Sequence, residues 1–116
     1  MTVAELAARL NAKVLCGTET ALERAVRGVY AGDLLSWVMG RAGAGAAWVT
    51  IMSNMNVAAV ALLTEVACVV LSEGVAPDEA LLARAVREDL ALLSTPLPTY
   101  DVCWRTREGL TDAAVL

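Results

Sequence analysis

Short apolar runs alternate with amphipathic stretches along the chain, and turn residues separate them. Thr2-Val-Ala-Glu5 has the spacing of a capping box, in which a hydroxyl and a carboxylate satisfy early helix amides reciprocally. It predicts a helix to about Leu10, with Val3, Leu6 and Leu10 on one face. Lys13 to Cys16 predicts a short strand closed by Gly17, and after a polar link Ala25 to Ala31 predicts a second. Gly32-Asp33 ends that strand and sets Asp33 to cap a helix from Leu34 to Arg41. Gly43 and Gly45 break the helix, and Ala47 to Ile51 predicts a third strand. Ser53 or Asn54 then caps a helix from about Met55 to Thr64. Ala67 to Leu71 predicts a fourth strand, and Ser72-Glu73-Gly74 turns the chain. Pro77 suits the first position of a helix over Asp78 to Glu88. Its Leu81, Leu82, Ala85 and Val86 face inward, while Arg84, Arg87 and Glu88 face water. Leu90 to Leu93 predicts a fifth strand. Thr95-Pro-Leu-Pro leads into a last helix over Thr99 to Glu108, which Gly109 stops.

Strands that are apolar without alternation have both faces covered, as in a parallel sheet. Three of them recur roughly every 22 residues, each followed by a helix. The fold class is therefore α/β, a single domain over residues 1–109 with a mostly parallel sheet of about five strands and flanking helices. Residues 110–116 read as a frayed tail.

Composition narrows the function. Hydrophobic residues make up 58% of 116, enough for a core without disulfides or metal, and a surplus that suits contact with another protein surface. Nine Lys and Arg against thirteen Asp and Glu give a net charge of −4 with no basic run, which excludes a nucleic-acid footprint. Cys16, Cys68 and Cys103 are far apart and never paired as C-x-x-C, so they predict three reduced, unligated thiols and no metal site. The absence of histidine removes the commonest general base and every serine–histidine nucleophile. No cofactor is called for. The N-terminus lacks the features of a signal peptide, so a cytoplasmic location is expected. Ala42 to Thr64 carries no charge over about the length a spanning helix needs. Its glycines and its Thr50, Ser53, Asn54 and Asn56 argue against a membrane segment, because unpaired amides are costly in hydrocarbon.

In open parallel sheets, ligands bind beyond the carboxyl ends of the strands. Reading those ends assigns a candidate ligand-binding set: Gly28, Gly32 and Asp33 after the second strand, then Thr50, Ser53 and Asn54 after the third. Ser72, Glu73 and Gly74 follow the fourth, and Thr95 the fifth. Each cluster precedes a helix start, whose free amides suit an anion or a carboxamide. The same residue types cap helices and make turns without any ligand. No catalytic residue is assigned: Asp33 and Glu73 are the only carboxylates of interest, and Gly28-x-x-x-Gly32 lacks the Lys and Ser or Thr of a phosphate loop. Trp37, Trp48 and Trp104 read as core or interface anchors.

Val26-Arg-Gly-Val-Tyr-Ala-Gly-Asp33, Trp48 to Val60, Val69 to Gly74 and Leu92 to Tyr100 together resemble the DRTGG domain, from about Thr2 to Glu108. The resemblance implies a fold akin to the N-terminal domain of HPr kinase. It also implies a regulatory or interaction module without catalytic activity, of the kind found beside nucleotide-binding CBS domains in pyrophosphatases and at the N-terminus of some phosphotransacetylases. The motif departs here: the family's Asp-Arg falls on Ser53 and Asn54, and its Thr-Gly-Gly falls on Ser72, Glu73 and Gly74.

The expected function is thus a stand-alone regulatory module that binds a protein partner as a homodimer and is not an enzyme. The alternative is a small-molecule sensor that takes a nucleotide or another anionic metabolite at the carboxyl edge. The dimer contact is expected on the Met55 to Thr64 helix, which is apolar nearly all round.

Overall fold

The strands sort their side chains into two faces, and the helices cover both. A computed structural model of the protein describes the backbone of residues 1–115 and the side chains of residues 1–112. In chain order the elements are α1 (Val3–Arg9), β1 (Lys13–Cys16), α2 (Glu19–Leu22), β2 (Gly28–Ala31), α3 (Leu35–Arg41), β3 (Ala46–Thr50), α4 (Asn56–Thr64), β4 (Cys68–Leu71), α5 (Glu79–Arg87), β5 (Leu92–Ser94) and α6 (Thr99–Val115). The sheet order is β1-β5-β4-β3-β2. β2, β3, β4 and β5 run parallel, while β1 joins β5 antiparallel with a register shift between Val14 and Cys16. The mostly parallel α/β sheet predicted from the strand pattern is therefore present.

Alternation along the strands builds two cores. Ala47 and Val49 of β3, Cys68 and Val70 of β4 and Leu93 of β5 pack under α1, α2 and α6. Trp48, Val69, Leu71 and Leu92 point the other way, under α3, α4 and α5. Both faces of β3 and β4 are buried throughout, which is why their sequences show no polar alternation.

Several local expectations change. α1 carries the full capping box, with Thr2 and Glu5 bonded reciprocally. The polar link holds a one-turn helix, α2, capped by Thr18. Pro77 precedes the N-cap Asp78 instead of opening α5. Val86 is 62% exposed because α5 buries only Leu81 and Ala85 fully. α6 passes through Gly109 to Val115, since the missing Cβ there makes room for the side chains of Arg9 and Met1. Arg9 also reaches Glu108 and Asp112, tying α1 to α6. Among the described residues no helix is long and apolar enough to cross a membrane; Ala42 to Thr64 is divided between β3 and α4.

α4 lies between α3 and α5 in its layer, and Val57, Ala58, Val60 and Ala61 are buried there. Its apolar composition is thus accounted for by neighbours in the same chain. Of its outer residues, Leu63 is the large apolar one, 70% exposed.

Candidate functional site

Four parallel strands place their carboxyl ends on one edge, and hydrogen bonds stitch the turns beyond them. The sequence position of Asp33 predicts a helix cap, but the N-cap of α3 is Leu34, without a side-chain bond. Instead Asp33 Oδ1 accepts from Thr50 Oγ1 at 2.8 Å and from the Ile51 amide at 2.9 Å. The Thr50 oxygen in turn accepts from the Met52 amide at 3.1 Å. The parallel register, with Ala31 opposite Val49, brings these groups together. Trp48, wholly buried, donates its indole N–H to the Gly32 carbonyl at 2.9 Å and pins the same turn from beneath.

The turn after β4 is the most specialised. Glu73 and Gly74 both have positive φ, +59° and +73°, and the Val75 amide donates to the Ser72 carbonyl across them. That is the φ pattern of a turn with two left-handed centres, which glycine adopts freely and glutamate does not. Glu73 Oε2 accepts from the Thr99 amide at 2.8 Å, and Ser72 Oγ lies 2.6 Å from Thr99 Oγ1. This turn therefore holds the start of α6. Ser53 ties the next helix in the same manner: its hydroxyl donates to Asp78 Oδ1 at 3.3 Å, and its carbonyl accepts from the Asp78 amide at 2.9 Å. Asn54 Oδ1 accepts from the Asn56 amide at 2.9 Å at the entry to α4.

Gly32, Asp33, Thr50, Ser53, Asn54, Ser72, Glu73, Gly74 and Thr95 thus share the carboxyl edge. Gly28 does not: it is the first residue of β2, at the opposite end of the sheet, because that strand starts later than its apolar run. Three of the hydroxyls are buried and already engaged. Thr50 serves Asp33, Ser72 meets Thr99, and Thr95 donates to the Leu10 carbonyl while accepting from the Leu97 amide. The groups left facing solvent are chiefly carboxylates. The four turns, 32–34, 51–55, 72–78 and 95–98, contain Asp33, Glu73 and Asp78 and no lysine or arginine.

Apolar side chains surround the β2–β3 half of this edge, a feature the sequence reading missed because each sits singly in a turn or cap. Leu34 is 59% exposed, Ile51 45% and Met55 46%. The Asp33–Ile51 bond draws the turns of Leu34 and Ile51 together, and Met55 closes the second of them as the N-cap of α4. Trp37, in the first turn of α3, is 54% exposed with the Arg41 guanidinium 4.1 Å above its ring.

Open hollows among the described residues lie elsewhere. One, of about 250 Å³, sits at the amino ends of the strands between Arg24, Gly45, Glu65, Val66 and Leu90. Another, of about 350 Å³, lies between β1 and α5. The three cysteines are free: Cys68 is fully buried, Cys16 and Cys103 partly so. Burial pushes the Cys68 thiol up to about 12 and raises the other two. Among the described residues no group of acids and cysteines has the arrangement to hold a metal ion.

The profile of the DRTGG domain family matches residues 5–108. No curated protein sequence matches the chain significantly. Among solved structures the chain is similar to the CBS and DRTGG domains of the regulatory region of Clostridium perfringens pyrophosphatase, complexed with its activator diadenosine tetraphosphate. The TM-score is 0.69 at 11% identity, over 87% of this chain and 44% of that one. At that identity the likeness is one of fold, and the chain spans less than half of the structure it matches.

Proposed function

The chain belongs to the DRTGG domain family, and on that premise we propose that it is a non-catalytic regulatory module of the cytoplasm that binds a protein partner, working as a homodimer. The observation that carries this reading is the character of the carboxyl edge. Three of its turn and helix-start amides are occupied by the chain's own oxygens: Asp33 holds that of Ile51 in the turn after β3, Asn54 that of Asn56 at the start of α4, and Glu73 that of Thr99 at the start of α6. What remains outward is Leu34, Ile51 and Met55 beside carboxylates. An apolar group rimmed by charge suits a protein surface.

The pyrophosphatase region, which binds a dinucleotide activator, supports the second reading, a sensor of a nucleotide or other anionic metabolite. The edge argues against it here. A polyphosphate would meet Asp33, Glu73 and Asp78 with no lysine or arginine in the turns to offset them. Catalysis is disfavoured on similar grounds, because the chain has no histidine and Asp33 is committed to Thr50 and Ile51.

A thermal-shift screen against mono- and dinucleotides and acyl phosphates tests the choice. A ligand that binds only the folded state raises the melting temperature by mass action, about 2.7 kcal/mol of stabilisation at a hundredfold excess over Kd. No shift is expected. A dose-dependent rise with any of these anions overturns the protein-partner reading in favour of the sensor.

A further inference from the structure

The two outer strands of the sheet are not equally protected. β1 is antiparallel, irregular between Val14 and Cys16, and carries Lys13; such features blunt an edge against further pairing. β2, Gly28-Val-Tyr-Ala31, is parallel, in regular register with β3, and has neither charge nor proline within it.

The direction of its backbone groups follows from its neighbours. The Gly32 amide donates to the Val49 carbonyl, and the Ser72 amide to that of Thr50. Odd residues of β3 therefore face β2 and even ones face β4. By alternation Tyr30 turns its amide and carbonyl to β3, while Val29 and Ala31 turn theirs to the open edge.

We propose that β2 pairs antiparallel with β2 of a second copy about a two-fold axis centred on Tyr30, so that the two sheets become one. The interface deepens the homodimer part of the reading above and rests on it. In this register Val29 faces Ala31 of the second copy, and the two exchange both backbone bonds; symmetry repeats the pair on the other side. Tyr30 meets its own copy at the non-hydrogen-bonded position, where side chains come closest. Charge selects a second copy as the occupant. Arg27 and Asp33 stand three residues before and after Tyr30, both exposed. The same register sets the Arg27 side chain against Asp33 of the second copy, twice, at the Oδ2 atom that Thr50 and Ile51 leave free, while the Arg27 amide stays bonded to the Gly45 carbonyl of its own chain. The strand is thus complementary to itself in charge as well as in backbone bonding.

Light scattering of the unmodified protein should give twice 12.2 kDa. Ala31→Pro removes an amide that the chain does not use within its own ladder, and should leave a folded monomer. Arg27→Glu sets an acid against Asp33 of the second copy, twice, and should weaken the dimer by about tenfold or more, with the loss reduced at high salt. Amide exchange at Val29 and Ala31 should slow with rising protein concentration, while the Tyr30 amide stays protected throughout. A monomeric unmodified protein overturns this proposal together with the homodimer reading. A dimer unchanged by either substitution, or with concentration-independent exchange at Val29 and Ala31, overturns the β2 interface and leaves the homodimer standing on another surface. Should Ala31→Pro lose its far-UV signal, Arg27→Glu and the exchange pattern decide.

Discussion

Replacing Glu73 separates two opposed effects at one position. Its backbone is left-handed, φ +59°, a conformation that costs a residue with a Cβ roughly 1–2 kcal/mol. Its carboxylate accepts from the Thr99 amide at 2.8 Å, which caps α6 and meets the positive end of the helix dipole. Loss of such a cap costs about 1 kcal/mol. Glu73→Ala keeps the strain and removes the cap, so a loss of about 1 kcal/mol is expected. Glu73→Gly removes both. Relief of the strain, less roughly 0.4–1 kcal/mol for the freer unfolded chain, restores on the order of 0.5–1 kcal/mol. The glycine variant should therefore lie near the unmodified protein and above the alanine variant. Urea unfolding measures this through the midpoint at constant slope. Alanine equal to or better than glycine would refute the strain argument, and an alanine variant as stable as the parent would refute the cap.

Thr50→Val keeps the shape but strips Asp33 of one donor and the Met52 amide of its acceptor, at a site 1% exposed; a loss of about 1–3 kcal/mol is expected by urea unfolding. Thiol titration of protein unfolded without reductant should find three free groups; in the native state Cys68 should be the slowest to alkylate near neutral pH, since burial holds it at about 12. Bonds from the side chain and backbone of Thr18 hold the Asp89 carboxyl below its usual range. Its folded pKa is depressed, so its contribution is present above the ordinary aspartate value and is lost as pH falls through the lowered one. The stability gap between the parent and Asp89→Asn should accordingly close on acidification below that range; a gap that widens there would sink the assignment.

The parallel strands β3 and β4 are legible because burial on both faces leaves unbroken apolar runs in the sequence. Their shared carboxyl edge follows from that parallelism, and so most of the candidate residues gather there. What sequence periodicity misses depends on contacts distant along the chain. Asp33 has the residue type and position of a cap, yet its partners Thr50 and Ile51 are set by the β2–β3 register. Gly109 has the look of a helix stop, but Arg9 and Met1 fill the space it leaves. α2 is only four residues long, and the signal that could have found it is Thr18, whose hydroxyl accepts from the Ala21 amide. The antiparallel place of β1 is not encoded locally: it pairs only with β5, almost eighty residues later.

That pairing sets an order of birth. β3, β4 and β5 are each beside the strand made just before, so the sheet can grow from β2 as the chain emerges. β1 is synthesised first of all and has no strand to join until Leu92–Ser94 has appeared. β1 must therefore wait until the other four strands have been made, with Val14 and Leu15 held in the open meanwhile. Chains cut short before Leu92 should leave the Val14 amide unprotected against exchange, and protection there would show that some other partner steps in.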